Sequence, residues 1–149
     1  MTERQVFARS ANETQAVGAE LAMALRGGDV ILLRGDLGAG KTTLAQGIAH
    51  GLGVAGPVQS PTFTLIAEYA APVLGPEGQL VHVDLYRLEG AADLATIGLD
   101  EYFERPESVT VIEWPDRAGG GIYPAHWSVL LEVVGDDVRQ ISIREPSSE

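Results

Sequence analysis

Residues 35 to 42, Gly35-Asp36-Leu37-Gly38-Ala39-Gly40-Lys41-Thr42, stand between the apolar run Val30-Ile31-Leu32-Leu33 and a stretch carrying Leu44, Ile48 and Leu52 on every fourth position. The run is short and apolar enough for a strand buried on both faces, and the spacing after it predicts a helix over about 43–52. Strand, glycine loop and helix is the order that a G-x-x-x-x-G-K-T phosphate-binding loop needs. The glycines let backbone N–H groups converge on an anion, and the helix N-terminus adds the positive end of its dipole. Lys41 is the only lysine of the chain, and an ammonium on a flexible stem at that point reaches nucleotide phosphates. Gly38, Ala39, Gly40, Lys41, Thr42 and Thr43 are therefore predicted to cradle the phosphates of ATP, with the Thr42 hydroxyl on Mg²⁺.

The bulk properties narrow the setting. A chain of 149 residues with 45% hydrophobic content predicts one domain, 1–149, around one core. It has no cysteine, which excludes disulfides and thiolate metal sites, and His50, His82 and His126 show no metal-ligand spacing. No secretory leader and no membrane-length apolar stretch is legible, so a soluble cytoplasmic protein is expected. The formal net charge is −11, from 21 acidic and 10 basic residues, and the arginines are scattered rather than clustered. Such a field repels a phosphate backbone, which argues against autonomous nucleic-acid binding and leaves room for an electropositive protein partner.

Along the chain, residues 3–9 alternate as an edge strand, and Ser10-Ala11-Asn12-Glu13 reads as a capping box opening a helix. Val17, Leu21, Ala24 and Leu25 give that helix one apolar face, with Gly27-Gly28 as its stop. Residues 62–70 are predicted as a strand, 72–78 as a turn and 80–84 as the returning strand. A helical stretch over 91–104, interrupted at Gly98, precedes a fully apolar strand at 109–112. Residues 115–126 read as a loop. Trp127 to Val134 and Val138 to Ile143 read as a terminal hairpin turned by Gly135-Asp136-Asp137, and 145–149 as a frayed tail. The fold class expected is a three-layer α/β domain with a mixed, mainly parallel central sheet and an antiparallel C-terminal hairpin.

Two carboxylates end apolar strands: Asp84 after Leu80-Val81-His82-Val83, and Glu113 after Val109-Thr110-Val111-Ile112. Magnesium takes oxygen ligands in near-octahedral geometry, so either acid, or both, could complete the metal site where the carboxyl ends of strands gather. Ser60-Pro61-Thr62-Phe63 occupies the stretch in which nucleotide-responsive loops set a hydroxyl near the γ-phosphate, although it is equally an ordinary loop sequence. His82 reads as a packing histidine rather than a catalytic base. Trp114 reads as an anchor or a core residue, and Arg87 as a cation for phosphates, for a partner or for solvent.

Four motifs in order, 35–43 (Gly-Asp-Leu-Gly-Ala-Gly-Lys-Thr-Thr), 60–65 (Ser-Pro-Thr-Phe-Thr-Leu), 82–88 (His-Val-Asp-Leu-Tyr-Arg-Leu) and 112–115 (Ile-Glu-Trp-Pro), closely resemble the TsaE (YjeE) ATPases. Phe63 stands where relatives carry tyrosine, and the chain after about residue 118 carries little that is diagnostic. The resemblance implies a small ATPase that joins TsaB and TsaD and is needed for N6-threonylcarbamoyladenosine formation on tRNA, with tRNA engaged only through the complex. It further implies Thr42 and Glu113 near Mg²⁺, Asp84 as the Walker B-like acid, Thr62 in a switch, and Thr14 near the nucleotide.

Other users of the same loop are expected to differ. A small-molecule kinase would need an acceptor pocket and an arginine-bearing lid, and no arginine cluster marks one. A guanine-selective switch would use N-K-x-D, which a chain whose single lysine is Lys41 cannot contain.

Overall fold

The computed structural model describes residues 3–59, 61, 65–87, 98–118 and 123–146. Its strands are β1 (Glu3–Ala8), β2 (Val30–Arg34), β3 (Ile66–Ala70), β4 (Gln79–Asp84), β5 (Ser108–Glu113), β6 (Trp127–Val133) and β7 (Arg139–Arg144). Its helices are α1 (Ala11–Ala22), α2 (Lys41–Gly51) and α3 (Leu99–Phe103). The strands form one sheet in the order β1-β7-β6-β2-β5-β4-β3. The four central strands β6, β2, β5 and β4 are parallel. β3 runs antiparallel to β4 at one edge, and β7 antiparallel to β6 and β1 at the other. The expected mixed, mainly parallel sheet with a terminal antiparallel hairpin is thus what the chain forms.

β2 and β5 are sandwiched, which is why they are continuous apolar runs rather than alternating ones. Their odd-numbered residues Ile31, Leu33, Val109 and Val111 pack with Leu21 of α1 and Leu44 and Ile48 of α2. Val30, Leu32 and Ile112 face the other way, onto Val81, Val83 and Leu99. The register pairs Leu33 with Glu113 and Glu113 with Asp84, so the carboxyl ends of three parallel strands finish level. Whatever follows β2 must therefore start beside both acids. No described helix is long and apolar enough to cross a bilayer.

α1 opens as the sequence predicts: Ser10 Oγ accepts from the Glu13 N–H at 3.1 Å. The reciprocal bond departs from a standard capping box, because Glu13 Oε1 accepts from the Arg9 N–H at 2.8 Å instead of from Ser10. The helix ends at Ala22, before Gly27-Gly28; Val17, Leu21 and Leu25 of the expected apolar face do pack in the core, whereas Ala24 is exposed and Ala22 is buried instead. α2 begins two residues earlier than the periodicity predicts, at Lys41 itself. β3 starts only at Ile66, after Leu65 takes a left-handed turn at φ 65°. Residues 62–64, 91–97 and 147–149 of the predicted strand, helix and tail lie outside the described residues. Gly98, at φ 69°, is the N-cap of the short α3. Within the predicted loop at 115–126, Pro115–Ala118 forms a 3₁₀ turn.

α1 and α2 touch through backbone. A Cβ on Gly47 would lie 2.1 Å from the Gln15 carbonyl oxygen, and one on Gly18 would lie 2.4 Å from that of Leu44. Glycine at these positions fixes the depth at which α2, and the loop ahead of it, seats against the sheet. Gly47→Ala gains about 1 kcal/mol in helix propensity, but that is outweighed where the added methyl meets backbone on the other helix. A net loss of about 2 kcal/mol is expected, read as a Tm lower by several degrees; an unchanged or higher Tm would show that the helices separate freely.

Candidate functional site

The site is built where β2 stops. Gly40, at φ 104°, is the N-cap of α2 in a left-handed conformation that only glycine adopts without strain, and among the described residues no side chain caps the amides behind it. No acidic residue occupies the first turn of α2, so these free donors and the positive end of the helix face the cleft undiminished by their own sequence. Gly38 is also left-handed, at φ 79°, and an added Cβ there would meet nothing within 4 Å. Glycine is therefore required at Gly38 for backbone conformation, and the space beside it is open.

Lys41 is 5% exposed. Its Nζ donates to the carbonyls of Gly35 and Asp36 and lies 4.1 Å from the centre of the Trp114 ring. Burial holds its pKa below the ordinary lysine value, and the charges of Glu113, Asp84 and Asp36 oppose that shift. Trp114 itself is held at φ 59°, a costly conformation for a large side chain, and its ring packs on Tyr86 at 5.0 Å. Trp114 is half-buried: it packs against the core cluster of Val30, Leu32 and Ile112, in line with the core reading, and its ring also walls the lysine's seat.

The Thr42 hydroxyl donates to the Glu113 carboxylate, 3.1 and 3.0 Å from its two oxygens. Glu113 is 3% exposed, and its Oε2 also lies 2.6 Å from Nε2 of His82. Asp84 sits opposite Glu113 in the β4–β5 register and accepts the Tyr86 N–H at 2.9 Å through Oδ1. Both acids whose roles the sequence leaves open therefore line one cleft of about 300 Å³ with Lys41, Thr42 and Thr43. Three hard oxygen donors, from Thr42, Glu113 and Asp84, are the chemistry that Mg²⁺ selects, with remaining positions for water and phosphate. The residues present fit that ion, and the uncapped amides and Lys41 fit a polyphosphate.

Thr14 is buried, and its Cγ2 lies 3.7 Å from where a Gly40 Cβ would stand, so α1 also touches the loop. Ala39 is buried behind the loop and its N–H is used by the Asp36 carbonyl at 3.0 Å. Thr62 lies outside the described residues. Two contributors escape sequence reasoning. Arg139, at the start of β7, donates from Nε to the Ala39 carbonyl at 3.1 Å and from Nη2 to that of Gly38 at 3.2 Å. Because a trans peptide turns its C=O and N–H to opposite sides, holding the Ala39 carbonyl from behind aims the Gly40 N–H away from Arg139. His82 is the other: it is the buried packing histidine that the sequence reads, but its hydrogen-bond partner, which the sequence does not give, is the central carboxylate. Only the placement of His82 two residues ahead of Asp84 on a strand, hence on the same face, could have signalled this.

Comparison with known proteins agrees with this architecture. The profile of the family described as "Threonylcarbamoyl adenosine biosynthesis protein TsaE" matches residues 8–141. A "tRNA threonylcarbamoyladenosine biosynthesis protein TsaE" from Bacillus subtilis is 41% identical over 130 residues, covering 87% of this chain and 78% of that protein. One of the same description from Aquifex aeolicus is 34% identical and covers 94% and 95% respectively. The crystal structure of Bacillus subtilis YdiB superposes with a TM-score of 0.77 at 32% identity, covering 98% of this chain and 87% of that one. With a profile match over most of its length, relatives at this identity and a shared fold, the chain belongs to the TsaE family of tRNA threonylcarbamoyladenosine biosynthesis proteins.

Proposed function

We propose that this protein is a Mg²⁺-dependent ATPase that serves tRNA N6-threonylcarbamoyladenosine formation in the cytoplasm as a subunit working with TsaB and TsaD. The observation that carries the reading is the uncapped start of α2, where Lys41 and Thr42 stand beside the buried Glu113. The amides opening α2 and the Lys41 ammonium bind and orient the triphosphate, and Arg139 holds the loop carbonyls so that the amides stay aimed. Thr42, Glu113 and Asp84 would hold Mg²⁺, which when bound neutralises charge on the phosphate oxygens. Glu113 or Asp84, with the segment carrying Thr62, orders the attacking water. The water oxygen bonds to the γ-phosphorus as the bond from that phosphorus to the bridging oxygen breaks. ADP leaves, and the water's proton passes to a carboxylate or to the phosphate product.

The charge of the chain supports a subunit role. At −11, it lacks the basic stripe that a free tRNA-binding protein needs, so tRNA is engaged through the complex. Lys41 donates to the loop carbonyls and lies over the Trp114 ring, contacts that keep its ammonium at the loop. Hydrolysis in isolation is expected to be slow, with partner contacts completing the site.

Lys41→Ala and Glu113→Ala proteins should each lose ATP turnover in the complex reconstituted with TsaB and TsaD; unchanged turnover would reject the assignment. A phosphorylated metabolite formed in place of free phosphate would identify a kinase instead. In thermal melts, ligand at 100 times its Kd adds about 2.7 kcal/mol, so Mg-ATP should raise the Tm by several degrees, with GTP giving a smaller shift and EDTA reducing the ATP effect. Equal shifts with and without the metal would argue against the donor set. Arg139→Ala should weaken ATP binding about tenfold, since hydrogen bonds from a charged donor contribute about 1.5–3 kcal/mol; unaltered affinity in a binding titration would show that the loop holds its own shape.

A further inference from the structure

His82 stands in the middle of β4, between Val81 and Val83, at 0% exposure. Its neighbours are side chains that bury without cost, whereas an imidazole in the same place must find a polar partner. On the face toward α2 the strand reads Leu80, His82, Asp84, and the facing strand reads Val109, Val111, Glu113. His82 thus lies one step deeper than Asp84, behind the site, where it cannot touch a nucleotide. Among the described residues its contact to a charged group is Nε2 to Glu113 Oε2, a short hydrogen bond of 2.6 Å. Nδ1 has no hydrogen-bond partner among the described residues.

We propose that His82 is the positioning residue for Glu113: it donates its Nε2–H to Oε2, fixes the plane of the carboxylate, and so presents Oε1 to the metal and water side of the cleft. The proposal rests on the reading that Glu113 works at the magnesium site. A carboxylate that ligates a metal is ionised and can only accept, so the shared proton must sit on Nε2. That tautomer leaves Nδ1 as a bare acceptor without a proton, the cheaper of the two ways to leave a ring nitrogen unpaired, because no N–H donor is stranded in the core. The two oxygens of Glu113 are then unlike. Oε2 is held by both Thr42 and His82, while Oε1 meets the Thr42 hydroxyl, at 3.1 Å. Were the Thr42 oxygen to bind a cation, His82 would be the contact that keeps Glu113 in place. Residues that orient metal ligands from behind commonly contribute ten- to a hundredfold to metal affinity, about 1.4–2.8 kcal/mol.

The test uses the full-length protein and calorimetric titration of ATP with Mg²⁺ and with EDTA. His82→Leu removes the donor and should reduce the affinity gained from Mg²⁺ about tenfold or more, while metal-free ATP affinity stays within about twofold. His82→Gln restores an N–H donor and should recover the gain to within about threefold. In the unmodified protein, ¹⁵N NMR of the imidazole should report the Nε2–H tautomer, with the Nε2 resonance moving when Mg-ATP is added. If His82→Leu keeps the magnesium gain while Glu113→Gln loses it, His82 has no positioning role and the site reading stands. If both variants keep it, the metal reading itself falls, and the proposal with it. Should His82→Leu fail to fold, the tautomer decides: Nε2–H with a ligand-dependent shift supports the proposal, and Nδ1–H overturns it.

Discussion

A carboxylate with 3% exposure at the end of a fully buried strand is the constraint around which the rest of the site is arranged. Taking Glu113 out of water is costly unless its oxygens are hydrogen-bonded, and both have a partner: the hydroxyl of the helix that starts at Lys41 meets the two of them, and a histidine from the next strand meets Oε2. The partners come from two elements, α2 and β4, so both must be seated against β5, the strand that carries Glu113, for the carboxylate to be tolerated. The same contacts that solve a folding problem leave a hard oxygen site at the positive end of a helix.

That arrangement follows from topology. β5 lies between β2 and β4, all three parallel, and their ends are level in register, so the chain leaving β2 enters the space in front of two acids. α2 then packs back over the sheet, and its depth is fixed by the glycine contacts with α1. The terminal hairpin reaches the loop from the other side through Arg139, 100 positions away from Ala39 in sequence. The loop is thus held at its base by Lys41, on one flank by the Glu113 contacts and on the other by Arg139.

What the sequence made legible was what is local. Val30 to Leu33, the glycines and the following periodicity lie within one stretch, and each signal there points to the same strand, turn and helix. The hairpin near the C-terminus is legible for the same reason. The sequence could name Asp84 and Glu113 as strand-end acids but could not choose between them, because the choice depends on which strand neighbours β2, a long-range fact. An isolated imidazole among valines reads as packing and carries no sign of Glu113 on the neighbouring strand, two positions along the ladder from its own register partner Val111. Arg139 has no local motif at all. Helix ends shifted where backbone geometry overrode periodicity: Gly40 lets α2 begin at Lys41, and α1 stops at Ala22 without waiting for a glycine.

The central claim is that the start of α2, with Lys41, Thr42 and Glu113 around it, holds a nucleoside triphosphate together with its metal. Calorimetric titration of Mg-ATP into the folded protein measures this most directly. One saturable site is expected, with its heat abolished in Lys41→Ala protein. A folded protein that registers no heat, alone and with TsaB and TsaD present, would contradict it.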